Sequence, residues 1–276
     1  MSQIVVSESL RKFASFNTPE VLFGEPARSG LGGKTNHVKN VVSMGMKLVT
    51  PEMNPELASI CLQLHDIGRS VQWTNIGAFN DGKMNHRYIA LQMIEQFVRQ
   101  EKCEMSSDWR VLIDVVQFHG VPHMWGLVHE DSMPYVKMVS KADNIENGCC
   151  GALGYLEDEK SRDDKGYVKV SPDRDQRDCK PYLLDYLERG QKFNKMTECE
   201  TYAEYFVFAA MLAVNACLDP ETEAIAKEAM NQYLSYIDPE KNIWMDAVDG
   251  YCAIFNRHLH PADAARACEI MRTKCR

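Results

Sequence analysis

The sequence predicts an all-α protein. Three observations carry that expectation. Apolar residues recur at helical spacing in segment after segment, strand-type alternation is almost absent, and Pro, Ser and Gly stand where helices start and stop. With 276 residues, 45% of them hydrophobic and 25% charged, the chain can bury a substantial core without disulfides or a structural metal. Its net charge of −8, from 31 basic and 39 acidic side chains, argues against a broad basic face for a polymeric nucleic acid.

The elements follow in order. The stretch RSGLGGKT (28–35) imitates a phosphate-binding P-loop, but Arg28 stands where the first glycine is needed and no buried strand leads in. Gly30, Gly32 and Gly33 are instead expected to form a flexible loop that delivers Lys34 and His37. Over 37–49, Val38, Val41 and Val42 share a face continued by Leu48 and Val49, and Gly45 falls within that stripe, where it lets a neighbouring helix pack close. A second helix is expected over 55–69, with Leu57, Ile60, Cys61 and Leu64 inward. The third, over 86–99, buries Ile89, Met93, Ile94 and Phe97. The fourth starts on Ser107 as N-cap and stops at Gly120, and the fifth covers 134–148. Between 156 and 177 the chain turns highly charged and reads as an exposed excursion, with YVKV at 167–170 as the best candidate strand. Helices resume over 181–188, 202–217, 220–236, 245–255 and 261–273, with Pro220 and Pro261 at first helical positions.

The ten cysteines form no CxxC pair, which excludes zinc-ribbon and thioredoxin-like readings. The longest apolar run, 205–218, is too short for a membrane span, and MSQIVVSESLRKF has no secretory pattern. A cytoplasmic protein with free, buried thiols is the resulting expectation.

Six of the eight histidines, 37, 65, 86, 119, 123 and 129, crowd into the first half of the chain. His65 and Asp66 end the apolar helix ASICLQLHDIGRS, and Asp143 lies against Val136, Val139 and Ile145 in VKMVSKADNIENG. A carboxylate on so apolar a helix is costly to bury unless a cation compensates it. Metal ligation removes that cost, and several helices each offering one N or O ligand is how helical bundles build dinuclear centres.

His37, the doublet His65-Asp66 in LHDIGR, and Asp143 together resemble the signature of the HD superfamily of metal-dependent phosphohydrolases. FNDGKMNHRYIA, with His86, and VVQFHG, with His119, resemble the stretches where many members place further ligands. The likeness covers roughly 35–150. It implies an HD-domain helical bundle over 1–156, including an N-terminal helix and the glycine-rich loop, then the charged excursion over 157–180. The helices of 181–276 are expected to pack on that bundle or to mediate a homodimer. Members with two extra histidines hold two ions, so the resemblance implies that Asp66 bridges them. His37, His65 and Asp143 would then ligate one ion and His86 and His119 the other, with His123 as a rival fifth ligand or a substrate contact. Imidazole with carboxylate suits Fe or Mn, with Co, Ni or Zn also compatible, better than Ca or Mg.

Such a pair of ions activates water and neutralises charge on a phosphoryl oxygen, which points to a phosphohydrolase or phosphodiesterase acting on a small nucleotide-like substrate. Asp66 and Arg69 are the expected catalytic groups, with Arg69, Lys34, Gln72, His123 and Lys141 toward the substrate and Trp73 as a stacking surface or plain core. Asn144 and Asn147 follow Asp143 as in the stringent-response hydrolases, but IGRSVQ lacks the acidic residues those enzymes carry after the doublet, and no Gly-Tyr-Pro element occurs. Two alternatives stand beside the hydrolase: an HD-fold mixed-valent di-iron oxygenase, and a non-enzymatic HD ligand-sensing module. No membrane partner is expected.

Overall fold

The structure, a computed structural model, describes residues 4–26, 30–77, 79, 81–151, 171–192, 198–234 and 245–276. The candidate strand at 167–170, most of the charged excursion and Arg28 lie outside the described residues. The described chain is all-α apart from one two-residue antiparallel pair, in which Tyr233 faces Asp246 and Leu234 faces Met245. It divides into two compact units, Met1–Asp143 and Asn144–Arg276.

The first unit holds His37, His65, Asp66, His86, His119 and Asp143. Its helices are α1 (Glu8–Phe16), α2 (Pro19–Phe23), α3 (Gly30–Gly45), α4 (Pro55–Leu64), α5 (Gly68–Ile76), α6 (His86–Glu101), α7 (Ser107–Phe118) and α8, which begins at Met133 (Met133–Glu146). Local chemistry sets their starts. Pro19 and Pro55 occupy first-turn positions after the capping side chains of Thr18 and Asn54, and Asn85 caps α6 by accepting from Arg87 N. The core is lined by Leu10, Phe13, Leu57, Cys61, Trp109 and Leu112, all buried. Phe13, Phe97 and Trp109 meet with ring centroids 4.9–5.9 Å apart, and the Trp109 indole N–H donates to Ser9 Oγ at 3.1 Å. Gly45 does what its place in the apolar stripe suggests: a Cβ there would overlap the Leu62 side chain of α4.

Two expected boundaries are corrected. The glycine-rich stretch is no loop, because α3 already starts at Gly30. Glycine costs about 1 kcal/mol per helical position relative to alanine. Here tertiary anchors offset that cost: Thr35 is buried and donates to the Gly24 carbonyl at 2.7 Å, and His37 is buried one turn on from Lys34. The single helix expected over 55–69 is broken at the doublet, α4 ending at Leu64 and α5 starting at Gly68. The apolar stripe runs on across the break because Ile67 is fully buried too, so the pattern conceals the turn.

The second unit is built on α10 (Tyr202–Leu218), buried along most of its length, with α9 (Pro181–Arg189), α11 (Glu223–Met230), α12 (Ala247–His258) and α13 (Pro261–Cys275). Its buried Glu204 is held by Arg174 at 3.4 Å and by the Glu200 N–H at 2.6 Å. Pro261 opens α13 as expected, whereas Pro220 opens nothing. Asp219 accepts from Glu221 N at 3.0 Å, and the turn this makes delays α11 to Glu223. No helix among the described residues is long and apolar enough to cross a membrane.

Asp108, buried in the first turn of α7, accepts from the Ser7 N–H and hydroxyl at 2.7 Å each, and from Ser106. Burial opposes its charge, but these hydrogen bonds hold the carboxyl below its usual value. Asp108→Ala should therefore destabilise the protein by about 1–3 kcal/mol in urea unfolding at pH 7. Because the folded-state value is depressed, the carboxylate's contribution is complete above the unfolded value of about 3.9. The gap between variant and wild type should then narrow as pH falls through the lower folded value.

Candidate metal centre

Helix ends deliver most of the site. His65 is the C-cap of α4 and Asp66 follows it, His86 is the first residue of α6, and His119 is the C-cap of α7. His37 comes from α3 and Asp143 from α8. The close approach of α5 to α6 depends on Gly68, where a Cβ would overlap the His86 carbonyl oxygen.

The outer nitrogens of His65, His119 and His86 aim their rings. His65 Nδ1 lies 2.8 Å from the Leu62 carbonyl, His119 Nδ1 lies 2.8 Å from the Val115 carbonyl, and His86 Nδ1 lies 2.6 Å from Asp81 Oδ1. With Nδ1–H donating outward, the neutral ring presents Nε2 inward as a bare lone pair. Burial pushes His65 down to about 3 and also lowers His119, so both rings are neutral at pH 7.

The Nε2 atoms of all four rings converge on Asp66, one oxygen to each side. Oδ2 lies 3.6 Å from His65 Nε2 and 3.8 Å from His37 Nε2. Oδ1 lies 3.3 Å from His86 Nε2 and 3.9 Å from His119 Nε2. Two groups of buried residues therefore have ligand atoms within 4.8 Å of one another, His37-His65-Asp66 and Asp66-His86-His119, and they share Asp66. Asp143 joins the first, its Oδ1 lying 3.2 Å from His37 Nε2 and 3.8 Å from His65 Nε2. His37 Nε2 and His65 Nε2 are 3.4 Å apart.

The donor set fits a cation. His86 Nε2 is buried without a hydrogen-bond partner, since its 3.3 Å approach to Asp66 lacks hydrogen-bond geometry. A lone pair so placed costs free energy unless something electrophilic meets it. Desolvation alone would push the two carboxyls up. The Lys34 ammonium and the Arg69 guanidinium nevertheless hold Asp66 well below its usual range, and His37 does the same for Asp143. Both stay ionised, as ligands must.

The remaining expected residues divide. Lys34 Nζ forms an ion pair with Asp66 Oδ2. Arg69 and Gln72 reach the site through Asp81, which the sequence reading passed over. Arg69 donates to both Asp81 oxygens, at 2.9 and 3.3 Å, and to Gln72 Oε1 at 2.9 Å, while the Gln72 amide donates to Asp81 Oδ1 at 3.1 Å and to the Met84 carbonyl. Only the Arg69 Nε edge faces Asp66, at 3.6 Å. The guanidinium thus holds Asp81 rather than presenting a free fork. Trp73 is half-buried against Phe79 at 4.8 Å. Lys141 projects about 200° around α8 from Asp143. His123 is exposed on the short turn Pro122–Leu127, and exposed His129 pairs with Asp114 at 2.8 Å, so neither joins the metal groups. The signal for Asp81 was the Asp-Gly turn just before the histidine that opens α6.

Comparison with family models, curated proteins and solved structures gives no match for the chain.

Removing a carboxylate that orients a ligating histidine weakens metal binding by about 10–100-fold. Asp81→Ala should do so for Mn²⁺ in calorimetric titration. Arg69→Ala should lower Mn²⁺ affinity in the same direction, because it frees Asp81. Wild-type affinity in both variants would sink this role for Asp81.

Proposed function

We infer that the chain is an HD-type metal-dependent phosphohydrolase or phosphodiesterase that cleaves a phosphoester or phosphoanhydride bond of a small nucleotide-like substrate with water. The observation that supports this most is the division of Asp66, with Oδ2 toward His37 and His65 and Oδ1 toward His86 and His119. One ion would be held by His37, His65, Asp66 and Asp143, the other by Asp66, His86 and His119, with Fe or Mn the preferred occupants of such a set. Bound there, two divalent cations supply Lewis acidity toward a phosphoryl oxygen and lower the pKa of water.

The protein's own part follows from its contacts. Asp66 places one full negative charge between the two ligand sets, and its near-complete burial keeps bulk water from screening it. The neutral imidazoles of His65 and His119 give lone pairs without proton competition at pH 7. Asp81, clamped by Arg69 and Gln72, fixes the His86 ring. Lys34 and Arg69, which stand beside the centre, are already paired, Lys34 with Asp66 and Arg69 with Asp81. Phosphate charge would therefore fall mainly on the metals, which suits a compact anionic substrate.

The test is metal analysis of the native protein followed by a nucleotide panel assayed for phosphate release with Mn²⁺, with and without oxygen. Two equivalents of metal and oxygen-independent turnover are expected, and Asp66→Ala should remove metal and turnover together. Strict dependence on dioxygen would move the same ligands to the oxygenase reading. A metal-free native protein indifferent to Asp66→Ala would leave the ligand-sensing module.

A further inference from the structure

Asp66 Oδ2 is not free to receive a cation as the centre stands. Lys34, in the early turns of α3, ion-pairs with that oxygen, and its side chain is only 11% exposed. Lys34 stands three residues before His37, so one helix face delivers both the ammonium and a ligand of the same half-site. On the other side of Asp66 no ammonium intervenes. Oδ1 faces the unpartnered His86 Nε2, and the nearest positive group, Arg69 Nε, stays at 3.6 Å because its other nitrogens are turned onto Asp81.

We propose that Lys34 is a resident counter-cation which competes with metal for Asp66 Oδ2. The two half-sites would then fill in order, Asp66-His86-His119 first and His37-His65-Asp66-Asp143 second, the second ion displacing the Lys34 ammonium. This rests on the metal-centre reading above. The physical reason is exclusion: a compact ammonium and a dication cannot both sit on one buried carboxylate oxygen without strong mutual repulsion. Local sequence makes the displacement feasible. Glycines at 30, 32 and 33 make the turns around Lys34 the least helix-committed part of α3, so the lysine can leave without unfolding the His37 segment. Without metal the ammonium neutralises Asp66. With metal it is released within reach of the centre, as a cation available to an anionic ligand.

The experiment uses the full chain, stripped with a chelator and titrated with Mn²⁺ alone. Wild type should bind in two resolved steps. Lys34→Met should tighten the weaker step about tenfold and leave the stronger one in place, while Lys34→Arg, which keeps a cation, should stay close to wild type. Unchanged or weakened constants in Lys34→Met overturn the proposal. A second measurement needs no variant: acetylation of Lys34 by an amine-reactive ester, read by mass spectrometry, should rise several-fold when the second Mn²⁺ equivalent is added, and a flat or falling yield overturns the proposal. If wild type takes up no Mn²⁺, the metal-centre reading falls and carries this proposal with it. Two bound ions with no response at Lys34 would remove this proposal alone.

Discussion

A single buried carboxylate sets the terms for the first unit. Asp66 follows a helix end whose neighbours Leu62, Leu64 and Ile67 are fully buried, and a charge there faces a desolvation penalty of several kcal/mol. The surrounding elements answer that penalty with positive or polarisable groups. Lys34 arrives from α3 and Arg69 from α5, while imidazoles come from α3, α4, α6 and α7. Yet burial keeps at least His65 and His119 neutral, so those rings offer lone pairs and no charge. An arrangement with more inward lone pairs than cations to meet them could hold an added cation. The buried His86 Nε2 states that deficit most directly.

The two halves around Asp66 differ in how they are held. His65 and His119 lean on carbonyls of their own helices, at Leu62 and Val115, so forming α4 and α7 also orients the rings. His86 leans instead on Asp81, a residue in the loop between α5 and α6 that depends on Arg69 and Gln72. The half-site of His86 and His119 therefore depends partly on a loop clamp, which makes it sensitive to changes away from the candidate ligands. Gly68 belongs to the same clamp, since α5 could not lie this close to the start of α6 with a larger residue there.

How much of this could be read in the sequence varies with the kind of information each feature needs. The all-α class was legible because periodicity and caps are local signals. The six candidate ligands were legible because buried-type helices interrupted by His and Asp are chemically anomalous, and the anomaly repeats in order along the chain. The break at His65-Asp66 was hidden because Ile67 keeps the apolar stripe running through a turn, and only the hydrogen bonds reveal where α4 stops. The glycine stretch was misjudged because propensity argues for a loop, while Thr35 and His37 impose helix through contacts remote in sequence. His119 and His123 in HGVPH could not be separated by spacing. A C-cap position that lets Nδ1 reach the carbonyl four residues back decides for His119. Asp81 carried a turn signal, and nothing local tied that turn to a histidine ring.

Charge at the centre also changes what the sequence seemed to offer a substrate. Lys34 and Arg69 look like two phosphate anchors when counted along the chain, but each already has a carboxylate, Asp66 and Asp81 respectively. An anion that needed both would have to break two ion pairs, one of them buried, and the gain would be largely cancelled. With metal on Asp66 this balance would change, because a dication in place of the ammonium would both satisfy the carboxylate and attract the phosphate. On the proposed function, anion binding and metal binding would be linked events at one oxygen atom, and affinity for a phosphorylated ligand would rise with metal occupancy. Asp66 Oδ2 is where that linkage would be located, and Lys34, which pairs with it, is the group whose position would report it.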